Sequence, residues 1–335
     1  LYGNKVLRCG CNRTGGSDGG NSLHYLKSGL MALEKLTSAR QLTLPVLEEI
    51  FHVAEQMRQI CEKQGRITLL SDKMIGLVFL EPSSRTLLSF QSAAQRLGAG
   101  IVFIQGVGST SFEKGESLSD AIRVFSGYCD LIVARLPKSG DAQIAADASD
   151  VPFINAGDGG NEHPTQSLVD TFTIREELGT LSHLNYAFGF DPLQSRSIHS
   201  LCMVLSQFED LGFEFVSPPE LRAPRSLIQQ CQERGVRVRE ADRIADLHSP
   251  DVIYLNRLQE ERFPDRALFE KYRYEYRLTP DQIPPSARLI LDPLPRVDEI
   301  ALEVDALPIA GYFRQARNGV YIRMALLSML LGRSL

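Results

Sequence analysis

The stretch "MIGLVFLEPSSRTLLSFQSAAQRLGA", residues 74–99, decides the fold. Residues 74–80 are apolar without alternation, the pattern of a short strand buried on both faces of a parallel sheet. The run then breaks into Glu81-Pro-Ser-Ser-Arg-Thr86. From Ser89 the spacing "SFQSAAQRLGA" predicts a helix. Strand, polar loop and helix make one unit of an α/β sheet.

Working outward, the same alternation recurs. "GIVFIQG" (100–106), "CDLIVARLP" (129–137) and "VPFINAGD" (151–158) read as strands. "SLSDAIRVFSGY" (117–128) and "PTQSLVDTFTIREELG" (164–179) read as helices, the latter closed by Gly179. Upstream, residues 43–63 place Leu47, Ile50, Phe51, Ala54 and Met57 on one helical face. After a break near 180, "LNYAFGF", "FEFVSP", "VIYLN" and "ARLILDPLP" are four more strand candidates with helical stretches between them. "GVYIRMALLSMLLGR" (319–333) is an apolar terminal helix. The fold class is therefore α/β: two doubly wound domains with mainly parallel sheets. Residues 9–22, rich in Gly and Ser, read as a flexible arm.

Composition narrows the function. The chain of 335 residues is 43% hydrophobic and carries a formal charge of −5, which argues against a nucleic-acid or membrane-surface partner. No apolar run reaches the ~20 residues that span a bilayer. Six scattered cysteines, at 9, 11, 61, 129, 202 and 231, fit a reducing compartment, so the expected location is cytoplasmic. Only Cys9 and Cys11 are close, without a second ligand pair at zinc-site spacing.

In such folds ligands sit where strands end and helices begin. Four loops qualify in the first half, at 81–86, 107–116, 135–140 and 157–166. Ser83, Ser84, Arg85 and Thr86 would put hydroxyls, a guanidinium and open backbone N–H groups at a helix N-terminus, a seat for an anion. Alone, the motif reads equally as a helix cap. Ser111 and Lys114 lie in a polar loop, and Arg135 ends a strand. His163 and Gln166 follow a turn whose Gly157, Gly159 and Gly160 would let backbone approach a ligand; a capping or core histidine is the alternative. Arg196, Arg257 and Gln259 occupy the corresponding positions of the second half, near the rigid Pro293-Leu294-Pro295 turn. This concentration of cations on strand-end loops of an acidic protein points to a small, strongly anionic substrate.

"SSRT", "KGES", "HPTQSLVD", "RSIHS", "RLQEER", "DPLPRVDEI" and "QARNGVYIRMALL" follow one another in an order and spacing that resembles the catalytic chains of the aspartate/ornithine carbamoyltransferase family, on its aspartate side. The resemblance runs from about residue 36 to 332. It leaves 1–35 uncovered, an extension read as flexible from its composition, and implies a carbamoyl-phosphate-binding domain over 36–180, an aspartate-binding domain over 181–311 and a terminal helix, 312–335, packed back on the first domain. It implies transfer of a carbamoyl group from carbamoyl phosphate to L-aspartate without cofactor or metal, in the interdomain cleft of a homotrimer whose sites are shared at subunit interfaces. Regulatory chains or a dihydroorotase are further partners that it brings into view.

By the same resemblance, Ser83, Ser84, Arg85 and Thr86 hold the phosphate. Arg135, His163 and Thr86 contact the carbonyl oxygen, and Gln166 the carbamoyl amide. Ser111 and Lys114 reach a neighbouring subunit's site. Arg196, Arg257 and Gln259 take the aspartate carboxylates, while Pro293 and Leu294 border the amines and the Leu294–Pro295 bond is cis.

Several positions depart from the family pattern. Leu87 and Gln91 replace an arginine and a glutamate, a loss that reads as one removed ion pair. Asp292 replaces a histidine, and the loop before Arg196, "GFDPLQSR", is about one residue longer. Two other readings stand beside the main one: a carbamoyltransferase for a different amino acid, and a weakly active paralogue with a scaffolding role.

Overall fold

The computed structural model describes residues 33–106, 115–260, 263 and 265–335. Ser111, Lys114 and the Gly-rich arm fall outside the described residues. The first half contains β1 (Lys35–Leu36), α1 (Leu44–Lys63), β2 (Met74–Phe79), α2 (Ser84–Arg96), β3 (Gly100–Gln105), α3 (Leu118–Ser126), β4 (Leu131–Leu136), α4 (Asp141–Ala148), β5 (Phe153–Asp158) and α5 (Pro164–Leu178). The second contains β6 (Asn185–Gly189), α6 (Arg196–Leu205), β7 (Gly212–Val216), α7 (Arg225–Glu233), β8 (Arg237–Ala241), β9 (Val252–Leu255), α8 (Arg266–Arg273), β10 (Leu289–Leu291) and α9 (Tyr312–Leu330).

Each half forms a five-stranded sheet whose paired strands are all parallel, in the orders β1-β5-β4-β2-β3 and β10-β9-β6-β7-β8. The chain leaves β2 toward β3 on one side and returns to β4 on the other. It does the same around β6, with β7 on one side and β9 on the other. These reversals open a crevice at the strand ends, where open α/β sheets bind ligands.

The elements follow from the sequence pattern with four exceptions: the start of α2, strand β1, helix α4, whose buried face is all alanine, and edge strand β8. Helix α2 begins at Ser84, five residues before the periodicity predicts, so Ser84, Arg85 and Thr86 form its first turn. The polar Ser-Arg-Thr start hides that turn from an apolar-spacing test. The two-residue strand β1 is too short to show any period. Elsewhere the pattern holds: α1 buries Leu47, Ile50, Phe51, Ala54 and Met57, and α5 stops at Gly179, whose φ is +77°.

Helix α9 returns to pack against α1, α2 and α5, although the strands before it belong to the second sheet. Its Tyr321, Ile322, Met324, Leu326 and Leu327 join Phe51, Phe90 and Phe172 in one apolar cluster. That cluster continues through Ile198 and Leu201 of α6 to Tyr186 and Phe188 of β6, so the two sheets share a packed seam.

Candidate active site

The strand-end loops of both sheets enclose a cavity of about 780 Å³. Every predicted site residue within the described residues lines it. Ser83, Ser84, Arg85 and Thr86 line one wall, Arg135, His163 and Gln166 the floor, and Arg196, Arg257, Gln259, Pro293 and Leu294 the wall from the second sheet. The Leu294–Pro295 bond is cis.

Ser83 is the residue before the first turn of α2, in extended conformation (φ −162°, ψ 100°), but its side chain makes no capping bond. The cap alternative therefore does not hold for Ser83. The first-turn N–H groups of a helix lack intrahelical acceptors and carry the positive end of its dipole, and the residues of this turn line the cavity. The Arg85 guanidinium beside it is lowered from its usual value by burial, with Asp292 opposing and Arg257 adding to the shift. A charged arginine group held partly out of water gains by pairing with an anion.

Arg135 sits where the β4–β5 register slips between Ala134 and Leu136. Such an irregularity turns a side chain out of the ladder. Its Nη2 donates to Glu81 Oε1 at 2.8 Å, while Nε is buried without an acceptor among the described residues. Burial and neighbouring Arg196 bring its pKa down to about 10. Arg196, at the start of α6, donates from Nη2 and Nη1 to Glu81 Oε1 and Oε2, at 3.0 and 3.1 Å, and from Nη1 to the Gly159 carbonyl. Burial would raise the Glu81 carboxyl, but Arg196 and Arg135 hold it below its ordinary value.

The glycines of the 157–160 turn serve a different purpose from the one expected. A Cβ on Gly157, whose φ is +117°, would lie 3.2 Å from Arg196 Cζ and 3.4 Å from Arg135 Nη1. A Cβ on Gly159 would meet the backbone of Lys138 and Ser139 at 2.9 and 2.7 Å. These residues make room for two guanidinium groups and a backbone crossing.

His163 precedes α5 and is 4% exposed. Its ring caps nothing, and its backbone N–H donates to Ser200 Oγ at 3.0 Å. Burial, then the charges of Arg196, Arg135 and Arg323, push its pKa well below the usual value, so the ring is neutral. Nδ1 lies 3.3 Å from Thr165 Oγ1. Gln166 donates from Nε2 to Asp170 Oδ1 at 2.7 Å, which leaves its carbonyl oxygen as an acceptor.

Asp170 was not singled out by the sequence, because a lone acid in a helix reads as a solvated face. It is fully buried, and it also accepts from Gln315 Nε2 at 2.7 Å and from Tyr254 OH at 2.8 Å. It thus ties α5 to α9 and to β9 directly beneath Gln166. Burial pushes its pKa up to about 7 against the pull of these donors and of Arg323. Arg323 was also missed. It lines the cavity, is 4% exposed, and lies 5.1 Å from the Phe90 ring centroid. The available signal was a single charge inside the apolar run "GVYIRMALL". Glu81 carried a signal too, as an acid at a strand end otherwise built for anions.

The departures from the family pattern divide by location. Leu87 is 5% exposed within the apolar core, and neither it nor Gln91 lines the cavity. The altered loop before Arg196 belongs to the site, since its buried Asp191 accepts from Gln259 Nε2 at 3.2 Å. Asp292 also lines the cavity and is 2% exposed.

Comparison with known proteins accords with this geometry. Residues 34–176 match the family model described as the aspartate/ornithine carbamoyltransferase carbamoyl-P binding domain, and residues 182–330 match the family's Asp/Orn binding domain. The aspartate carbamoyltransferase catalytic subunit of Methanocaldococcus jannaschii is 41% identical over 300 residues, covering 89% of this chain and 98% of the relative. A crystal form of the M. jannaschii aspartate transcarbamoylase catalytic subunit superimposes with a TM-score of 0.84 at 41% identity, covering 89% of this chain and 98% of the other. Aspartate transcarbamoylase from Trypanosoma cruzi, in complex with carbamoyl phosphate and aspartate, superimposes with a TM-score of 0.83 at 32% identity, covering 90% of this chain and 96% of that one. Two matching domains in order, near-complete coverage and a cavity lined by the motif residues place the chain in the aspartate/ornithine carbamoyltransferase family.

Proposed function

We propose that the chain transfers the carbamoyl group of carbamoyl phosphate to the amino group of L-aspartate, giving N-carbamoyl-L-aspartate and phosphate. The observation that carries this reading is the convergence of Arg85, Arg135, Arg196 and Arg257 from two sheets on one cavity, beside the uncapped first turn of α2. A reaction pair with three anionic groups, one phosphate and two carboxylates, matches that set of cations.

In this reading the first domain, 36–180, seats carbamoyl phosphate and the second, 181–311, seats aspartate. The phosphate takes the first-turn N–H groups of α2, the hydroxyls of Ser83, Ser84 and Thr86, and the Arg85 fork. The carbamoyl carbonyl oxygen faces Arg135, Thr86 and the His163 ring. Neutral His163, accepting at Nδ1 from the Thr165 hydroxyl, carries its proton on Nε2 and can donate it in a hydrogen bond. The Gln166 carbonyl accepts from the carbamoyl amide, because Asp170 holds the other end of that side chain. Arg196, Arg257 and Gln259 take the two carboxylates, and the Pro293–Leu294 backbone borders the amine.

The neutral amine attacks the carbonyl carbon, a C–N bond forms and the C–O bond to phosphate breaks. The departing phosphate accepts the proton from the new ammonium, so no side chain needs to act as base. Negative charge gathers on the carbonyl oxygen, where each well-placed donor lowers the barrier by about 3 kcal/mol. Holding both reactants in line supplies a further large share.

The chain acts as a homotrimer in which Ser111 and Lys114 complete a neighbour's site. Support comes from two exposed apolar side chains: Leu88, 61% exposed, which lines the cavity, and Phe103 on edge strand β3, 56% exposed. The deciding assay supplies carbamoyl phosphate with a panel of amino acids and follows phosphate release and the ureido product. Absence of product from aspartate overturns the reading. Mixing Lys114→Ala with Arg85→Ala chains tests sharing, since only shared sites let verified mixed trimers recover activity.

A further inference from the structure

The turn that borders the acceptor side of the cavity is closed by two buried carboxyl groups. Asp292 and Glu299 are each 2% exposed. Asp292 Oδ1 accepts from the Leu294 N–H at 2.5 Å, and Glu299 Oε2 accepts from the N–H groups of Val297 and Asp298 at 2.9 Å each. The other two oxygens, Asp292 Oδ2 and Glu299 Oε1, are buried with no donor among the described residues. The two groups lie close enough that the charge of Glu299 helps to push the Asp292 carboxyl up. A pair of ionised carboxylates there would leave both oxygens unsatisfied and repelling. One proton between them satisfies both at once.

We propose that Asp292 and Glu299 share a single proton between Oδ2 and Oε1, and that this clip positions the 293–298 turn for the acceptor amine. The proposal rests on the carbamoyl-transfer reading above for what the turn contacts, and the clip itself is independent of it. Asp292 and Glu299 are positioning residues, acting through the backbone of Pro293 and Leu294. Leu294 has a φ of +59°, a left-handed conformation that an L-residue adopts only under constraint. The clip supplies that constraint from both ends of the turn.

The surrounding charges indicate which group keeps the proton. Arg85 and the Tyr254 hydroxyl face Asp292. Arg296 faces Glu299, while Arg257, Glu260, Arg273, Tyr276 and Asp298 surround the small cavity behind it. Arg273 is committed to Asp298 at 2.6 Å, and Arg296 to Asp305. Glu299 has two backbone donors against one for Asp292, so Glu299 is the carboxylate and Asp292 the acid. Burial and the charge of Glu299 push the Asp292 carboxyl well above its usual value. The proton is therefore held beyond the ordinary carboxylate range, and the clip opens where rising pH removes it.

The experiment compares the full wild-type chain with Glu299→Gln and Glu299→Ala. A glutamine can accept from both backbone N–H groups and donate to Asp292 at every pH. With aspartate as acceptor, from about pH 6 to about pH 10, the wild-type KM should climb about tenfold more than that of E299Q, while the kcat ratio stays within about threefold. E299A should show the raised KM throughout. Profiles of wild type and E299Q that coincide, or a hundredfold loss of kcat in E299Q at unchanged KM, overturn the clip. Infrared spectroscopy at about pH 8.5, above the range of Asp170, gives a readout free of catalysis. Wild type should show a protonated carboxylic-acid carbonyl band that E299Q lacks, and absence of that band in wild type overturns the proposal. An enzyme silent with aspartate but carrying the band would sink the acceptor assignment and leave the clip standing.

Discussion

Glu81 of the first domain and Arg196 of the second meet in a two-point ion pair, Oε1 to Nη2 at 3.0 Å and Oε2 to Nη1 at 3.1 Å. Arg135 shares Oε1, so one carboxylate balances two guanidinium groups whose side chains are only 12% and 13% exposed. Removing it leaves like charges facing each other in a partly dry cleft. Glu81→Ala should therefore lose about 3 kcal/mol of stability and at least about tenfold in kcat/KM. Urea unfolding and steady-state kinetics on the same preparation check both. Unchanged kinetics with lowered stability would confine Glu81 to a structural role.

His163 is held neutral by burial and by three arginines. Its imidazole resonances should stay in the neutral form as the pH falls through the ordinary histidine range, about 6.5, in an NMR titration of the free enzyme. His163→Ala should lower kcat about 10²- to 10³-fold, the usual cost of one oxyanion donor. A ring that titrates near its ordinary value would remove the basis for its donor role.

Asp170 titrates at about 7 in the folded protein, against about 3.9 in an unfolded chain. A raised carboxyl pKa means that the folded state binds the extra proton between these values. Stability from this group is thus fully present below about pH 4 and is lost as pH rises to about 7, by at most about 4 kcal/mol. Asp170→Asn, which does not titrate, should be less stable than wild type at about pH 5 and should close part of that gap by about pH 8. Chemical unfolding at the two pH values measures the difference. A constant gap would mean that the three donors to Asp170 keep it ionised throughout.

Leu87 lies in the core one helical turn before half-buried Gln91, where the family carries an arginine and a glutamate. Restoring the arginine alone should cost about 2–4 kcal/mol, since it buries a charge without a partner. Adding Gln91→Glu at the i+4 position should recover about 1 kcal/mol or more. Additive effects in this double-mutant cycle would show that the two losses are unrelated.

What the sequence made legible follows from range. Period and breaks located both sheets and the loops at their ends, because strand burial and turn chemistry act over a few residues. Arg85, Arg135, Arg196 and Arg257 stood out as cations where strands should stop, and His163 as a polar ring beside them. Edge strand β8, "RVREA", did not stand out, since its partly exposed alternation is dominated by charge. Nor did the contact of Asp170 with Gln315, 145 residues away, or that of Glu81 with Arg196, 115 away. Such pairs are made by the folding of one domain onto the other and leave no local periodicity. The glycine turn at 157 was visible, but its cause, two guanidiniums passing close by, was not.

Helix α9 has a consequence for the order in which the molecule is built. Domains made first on the ribosome usually fold first. Here the apolar groove formed by α1, α2 and α5 receives Ile322, Met324, Leu326 and Leu327, which are synthesised only after every strand of the second sheet. Of the two domains, the one made earlier is therefore sealed only after the other has been synthesised, and the nascent chain carries an open apolar groove until then.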